Sequence, residues 1–190
     1  MDAICNFVKT GSEMIKSDRK IRELSALLSQ NNNMAISAGI ELLRDEEPFE
    51  GAVGLLVSYY DSTEDPQVRK TIENFLNDLK DQSVSSEVMG EIKKPWGHET
   101  ITMLISSCWQ SGLDYSVYCN DLVDIFLASD YMIALECLTV IEESAGNIGR
   151  DERDGIIAVI KDFTGIRGSE KQKLTDELIA VLDQDQILYD

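Results

Sequence analysis

An apolar stripe with helical spacing recurs along this chain and constrains its fold more than any other feature. Its residues lie three or four positions apart, as on one face of an α-helix. Its members are Val68, Ile72, Phe75, Leu76 and Leu79, then Ile133, Cys137, Val140 and Ile141, then Leu174, Leu178, Val181 and Leu182. Because helical units that recur about every 30 to 40 residues bury their apolar faces on one another, the pattern predicts stacked helix pairs.

Capping and turn residues divide the chain into about five such pairs. Residues 18–183 are expected to form them, and residues 1–17 to be a terminal cap or a loosely ordered segment. The first pair is expected around the Asn31–Asn33 turn, and the others at 48–60 with 66–80, 84–92 with a helix ending near Gly112, 115–128 with 131–144, and 151–163 with 169–183.

No run alternates apolar and polar residues, so we expect an all-α, right-handed α-solenoid of antiparallel helix pairs, with essentially no sheet, as a single domain over 1–190. The expected core includes Leu42, Cys108, Trp109, Val117, Cys137, Val159 and Phe163.

The chain is strongly acidic, with 35 Asp and Glu against 17 Lys and Arg and a net charge of −18. This charge disfavours nucleic acids and anionic membrane surfaces as partners. No stretch reaches the about 18 to 20 continuous apolar residues of a membrane span, and the N-terminus lacks a secretory signal. The four cysteines form no CxxC pair, which suits reduced thiols in the cytoplasm. The acidity is explained either by solubility or by a basic protein partner.

No residue pattern identifies a reaction, a metal or a cofactor. His98 and Glu99 form the one neighbouring His-carboxylate pair, but adjacent helical residues point about 100° apart. A single histidine and the absence of nucleophile-elbow, phosphate-loop and calcium-loop motifs argue against an enzyme. We therefore predict no catalytic residue, no metal and no cofactor.

The charge distribution is more informative than any motif. Residues 95–149 contain no Lys or Arg, but they contain eight acids and three of the four cysteines. We expect the exposed surface of this stretch to be negative. It is either an acidic, aromatic-rimmed groove for a basic segment of another protein or the least charged part of a buried core. The residues expected to bind a partner in such a groove are Trp96, Glu99, Asp130, Tyr131 and Glu136. Trp96 either binds a partner or fills the space between two repeats.

Three segments resemble the second helices of HEAT repeats. They are Asp65–Lys70 with its Val68-Arg69 pair, Asp130–Leu138 with its Asp and small apolar residues, and Asn33–Ile40. The resemblance covers about 18–183, and armadillo-like stacks share the same logic. The third unit departs from the pattern at Trp96–Glu99, and the fifth opens with Gly168-Ser169. The resemblance implies that second helices line the face on which partners dock.

Stacked helical repeats usually bind rather than catalyse. The leading hypothesis is a non-catalytic protein-interaction module, a small scaffold or adaptor with an acidic repeat surface. The alternatives are a HEAT-like enzyme or nucleic-acid-processing protein, and a structural subunit of a larger complex. The sequence does not predict the oligomeric state.

Overall fold

The computed structural model describes residues 16–163 and 170–183, which contain ten α-helices and no β-strand. This confirms the all-α prediction for the described residues. The helices are α1 (16–28), α2 (Asn33–Leu42), α3 (Ala52–Ser62), α4 (Pro66–Asn77), α5 (Ser85–Ile92), α6 (His98–Ser111), α7 (Cys119–Ala128), α8 (Tyr131–Ser144), α9 (Arg150–Asp162) and α10 (Gln172–Asp183). The predictions for residues 1–15, for the 165–168 turn and for the Ser169 cap lie outside the described residues. Within those residues, no helix has the length and apolar character needed to cross a bilayer.

Two helices begin at aspartates that the sequence predicts as caps. Asp65 Oδ1 accepts hydrogen bonds from the backbone N–H groups of Gln67 at 3.0 Å and Val68 at 2.9 Å. Asp130 Oδ1 accepts from Met132 at 3.0 Å and Ile133 at 3.1 Å. Each aspartate satisfies backbone donors that have no partner inside the helix, so the local sequence is sufficient to start α4 and α8.

The expected start of α3 at residue 48 is wrong. The helix begins at Ala52, after Gly51 in the left-handed conformation (φ 88°) and without a side-chain cap from its own segment. The carboxylate of Glu87 on α5 accepts a hydrogen bond from the Gly54 N–H at 3.1 Å. The helix N-terminus is therefore satisfied by a tertiary contact from 33 residues away, which local sequence patterns do not reveal.

The chain divides into two compact units, Met1–Pro95 and Trp96–Asp190. In the first unit, α2 packs on α4, and α3 packs on α4 and α5. In the second unit, α8 packs on α6, α7 and α10, while α9 packs on α7 and α10. The predicted single domain over 1–190 stays a prediction.

Most stripe residues are buried, but four expected core residues are exposed: Leu42, Val117, Val159 and Phe163. Leu42 and Val159 each lie two positions after a buried isoleucine, so they point about 200° away from it. Val117 lies in the single 3-10 turn Ser116–Tyr118 that precedes α7. Phe163 follows the last residue of α9 in extended backbone. Trp109 is also partly exposed, at 38%, whereas Cys108 and Cys137 are fully buried as predicted.

One long-range contact ends α7. Lys171 Nζ donates hydrogen bonds to the carbonyl oxygens of Phe126 at 2.9 Å, Leu127 at 3.0 Å and Ser129 at 2.6 Å. A cation is favourable there because the last carbonyls of a helix carry partial negative charge. Burial lowers the pKa of Lys171, while the nearby Asp130 raises it. Lys171 lies outside residues 95–149 in the sequence, but it places one positive charge against that stretch.

Candidate functional site

Two side-chain bonds join α6 to α8 in the second unit. His98 Nε2 lies 2.6 Å from Asp130 Oδ2, and Trp109 Nε1 donates to Glu136 Oε2 at 2.8 Å. His98 and Trp109 are about three helical turns apart and therefore project from the same side of α6. Met132, Glu136 and Glu143 similarly share one side of α8. We call the surface formed by His98, Trp109, Met132, Glu136 and Glu143 the α6–α8 face.

The first unit contains a matching arrangement between α2 and α4. Asn33 Nδ2 donates to Asp65 Oδ2 at 2.6 Å, and this bond spans 32 residues, as the bond between His98 and Asp130 does. About three turns after Asn33, Arg44 Nη1 donates to Asp78 Oδ2 at 2.6 Å. In both pairs, the first residue of one helix therefore binds the N-cap aspartate of the helix that packs beside it. We call this common arrangement the shared frame.

The shared frame explains the His98–Asp130 pair without catalysis. A histidine oriented by a carboxylate is the usual arrangement of a general base. However, Asn33 makes the same bond to Asp65 at the same distance, and an amide cannot act as a base. Asp130 also caps α8. The Ile133 N–H, and to a smaller extent His98, keep the pKa of Asp130 below its ordinary value. The pair is accounted for as a packing contact.

The α6–α8 face exposes apolar groups beside carboxylates. The exposed fraction is 38% for Trp109 and 51% for Met132. Glu136 receives its hydrogen bond from an indole, which is a neutral donor, so this bond leaves the charge of Glu136 uncompensated. The Lys171 ammonium lies at the Asp130 end of the face, while Trp109 lies about three turns further along α6. The Trp109 end is therefore the more negative part.

A cavity of about 120 Å³ opens beside Trp109, between the C-terminal ends of α6 and α8. Its charged lining residues are Asp114 and Glu143, and neither Lys nor Arg lines it. Backbone and side-chain donors, first of all the Ser116 N–H, hold the pKa of Asp114 below its ordinary value. An indole wall with two carboxylates suits a cationic side chain, which gains from both the aromatic ring and the negative charge.

The structure brings two of the five predicted binding residues against the same helix and turns a third to another side of α8. Asp130 and Glu136 both contact α6 side chains. Tyr131, 36% exposed, lies five positions before Glu136 and so projects about 140° away from it. Glu99 is exposed in the first turn of α6. Trp96 is half-buried, and its indole N–H finds no hydrogen-bond partner among the described residues.

Sequence reasoning missed three residues of this surface: Trp109, Met132 and Glu143. Trp109 was expected in the core because it follows the stripe residues of α6. The spacing from His98 to Trp109 could have identified it, because that interval places both on one side of a helix. Met132 and Glu143 share a helix side with the predicted Glu136, which the same argument could have shown.

The three described cysteines all lie in the second unit, and burial affects the pKa of each thiol. Cys108, Cys119 and Cys137 are free and buried, and burial raises the pKa of each to about 12. Such thiols are poor nucleophiles at neutral pH because the thiolate is the reactive form. Over 16–163 and 170–183, no three His, Cys, Asp or Glu side chains are placed to hold a metal ion together.

No protein-family profile, no curated protein and no solved structure matches this chain.

Proposed function

We propose that this protein is a non-catalytic protein-interaction module that binds an arginine-containing basic segment of another protein on the α6–α8 face. The observation that carries the proposal is the cavity at Trp109, lined by Asp114 and Glu143 and by no cation. An arginine guanidinium stacks on an indole and pairs with carboxylates, which fits this lining better than a compact lysine ammonium does.

The exposed Met132, about three turns before Glu143 on the same side of α8, supports a second, apolar contact further along the face. Methionine side chains adapt to differently shaped apolar surfaces and are common where proteins bind peptides. A partner segment with an arginine and an apolar residue several positions away would use both parts of the face. The long-range negative charge of the chain would also speed its encounter with such a segment.

We also infer that the helices within each unit stack as HEAT-like α-solenoid repeats of antiparallel pairs. Four bonds that span 32 or 33 residues support this: Asn33 with Asp65, Gly54 with Glu87, His98 with Asp130, and Asn120 with Glu152. A repeat of this length contains one helix pair, and stacking of such repeats places equivalent helices side by side. Binding surfaces on second helices are the usual arrangement in such stacks.

The proposal is tested with peptides selected from a random display library on the immobilised protein. The selected peptides should contain an arginine and an apolar residue several positions away from it. Their binding, measured by fluorescence anisotropy at physiological salt, should weaken by at least about tenfold, or about 1.4 kcal/mol, in Glu143→Lys.

Asp124→Lys is the matched control, because Asp124 is an exposed acid of the same stretch on α7 and outside the cavity. It makes the same change in net charge and should alter binding by less than about twofold. Equal losses in the two variants would show general charge attraction and overturn the proposed site. Selected peptides without basic residues, or no selected peptides at all, would also overturn it.

A further inference from the structure

The first unit contains a second cavity that the partner proposal does not use. It has a volume of about 460 Å³, within the range of small-molecule sites, and lies between the α2–α3 loop, the end of α4 and the start of α5. Its apolar lining includes Phe49, Ala52, Val53, Phe75, Leu79 and Val84. Several of these side chains are only half-buried, so an apolar ligand would cover surface that water now contacts.

The cavity also contains a partly buried carboxylate. Five carboxylates and two cations line it. Glu87 is half-buried, whereas the other four carboxylates are exposed at the rim. Of the two cations, Arg44 is already bound to Asp78 and Glu41. A wider depression of about 470 Å³ shares Phe49, Val84 and Glu87 with this cavity, so Glu87 borders both.

Glu87 has a second carboxylate as a neighbour on its own helix. Glu91, one turn further along α5, is 5% exposed, and its Oε1 binds Lys94 Nζ at 2.6 Å. The other carboxylate oxygen, Glu91 Oε2, is buried without a hydrogen-bond partner among the described residues. Burial, and to a lesser extent the Glu91 charge, raise the pKa of Glu87, while the backbone N–H groups of Gly54, Gly51 and Val53 lower it. Lys94 is bound to Glu91, whereas the bonded partner of Glu87 is a neutral N–H group at the start of α3, so a cation beside Glu87 would be favourable.

An ammonium beside an aromatic ring and a carboxylate already occurs at the edge of this cavity. Lys20 Nζ lies 5.1 Å from the ring centre of Phe49 and 3.0 Å from Glu46 Oε2. The arrangement shows that this part of the unit accommodates a positively charged amine against Phe49.

We propose that the cavity binds a small amphipathic amine, whose apolar ring or chain lies on the Phe49 and Phe75 side and whose ammonium group faces Glu87. The excess of carboxylates in the lining disfavours fatty acids, nucleotides and other anions. A neutral apolar molecule would leave the partly desolvated Glu87 without a counter-ion. The inference is independent of the partner proposal, because the two sites lie in different units.

The test compares 2-phenylethylamine with 3-phenylpropionate, which has the same apolar body and the opposite charge. Binding is followed at neutral pH and physiological salt through the NMR shifts of the backbone amides of Gly54 and Val84. The amine should give saturable shifts and the carboxylate none. Glu87→Gln should weaken amine binding by at least about tenfold, whereas Glu64→Gln, an exposed loop acid outside the cavity, should change it by less than about twofold.

Equal binding of the amine and the carboxylate would overturn the proposal, as would an unchanged affinity in Glu87→Gln. No saturable shift with the amine would overturn it as well. Butylamine, pentylamine and hexylamine, tested on the unmodified protein, give a second measurement that does not depend on folding of the variant. The affinity should rise by about fourfold for each added methylene, and a flat series would contradict an apolar site.

Discussion

The α2–α4 and α6–α8 pairs are joined by different side chains: the donors lie at corresponding positions, whereas the acceptor Glu136 lies about two turns before Glu143, the position that corresponds to Asp78. At the helix starts, Asn33 binds Asp65 in the first unit and His98 binds Asp130 in the second. About three turns later, Arg44 binds Asp78 through an ion pair, whereas Trp109 binds Glu136 through a neutral indole. The first unit thus neutralises its carboxylate, and the second leaves a charged carboxylate next to an exposed aromatic ring.

This difference shows how a repeated packing frame can carry different surfaces. The frame needs a capping aspartate, a hydrogen-bond donor and buried aliphatic side chains. The residue three turns along only has to reach the neighbouring helix, so it can be Arg or Trp. The chemistry of the surface is decided there, and that is the reason for placing the partner site on the α6–α8 face and not on the α2–α4 face.

The largest expected effect comes from matched core truncations, Leu76→Ala on α4 and Ile141→Ala on α8. Both side chains are fully buried, and both lie about three turns after a capping aspartate. Each variant should lower the free energy of unfolding by about 2 to 5 kcal/mol, because it loses buried apolar contacts and leaves a cavity. Urea denaturation followed by circular dichroism measures the loss. Very unequal costs would show that the two pairs do not share a frame.

Tryptophan fluorescence sharpens that measurement, since Trp96 and Trp109 both belong to the second unit. The predicted single domain requires the fluorescence and circular dichroism transitions to coincide in both variants. If Leu76→Ala shifted only the circular dichroism transition, the units would unfold separately and the single-domain prediction would be wrong.

The next largest effect is a loss of stability at acid pH, which the α2–α4 and α6–α8 pairs should share. The Val68 N–H, followed by Asn33, lowers the pKa of Asp65, and the Ile133 N–H chiefly lowers that of Asp130. A lowered pKa in the folded state means that the ionised form is favoured by folding. The stabilisation is therefore complete above the unfolded value of about 3.9 and is lost as the pH falls through the lower folded pKa.

Asparagine variants test this prediction, because asparagine also caps helices but does not titrate. Asp65→Asn and Asp130→Asn should be nearly as stable as the unmodified protein at pH 7, and their stability should fall less steeply below about pH 4. Thermal unfolding between pH 2.5 and 7 measures the slopes. An unchanged slope in either variant would contradict the role of that aspartate.

The smallest expected effect on stability comes from the two surface contacts. Arg44→Gln removes a mostly exposed ion pair, and Glu136→Gln keeps an acceptor for the Trp109 indole but removes the charge. Each should change the free energy of unfolding by about 1 kcal/mol or less. Only Glu136→Gln should weaken binding of the selected basic peptides. A similar loss in Arg44→Gln would place the partner surface elsewhere.

Much of the fold was predictable because it depends on local signals. Asp65 and Asp130 cap the helices that follow them, and Pro66 fits the first position of α4. The N-terminus of α3 was not predictable in this way, because its donor groups are satisfied by Glu87 from another helix. The end of α7 is similar, since its carbonyls are bound by Lys171, 42 to 45 residues further along the chain.

The candidate site was predictable in part. The absence of Lys and Arg from 95–149 singled out the stretch that contains the α6–α8 face, and Asp130 and Glu136 do contact α6. Tyr131 was grouped with them because it is close in sequence, yet helical geometry turns it away from Glu136. The Glu87 cavity could not be predicted at all, because its lining comes from the α2–α3 loop, α3, α4, α5 and the segment between α4 and α5.

The sequence by itself determined that the described chain is helical, where most helices begin, and which side of each helix is buried. Those properties depend on residues within a few positions of one another, through capping, backbone preferences and the spacing of apolar side chains. The tertiary structure decided which side chains meet across helices: His98 with Asp130, Trp109 with Glu136, and Glu87 with the start of α3. These contacts join residues 27 to 33 positions apart, and packing, not local preference, brings them within hydrogen-bond distance.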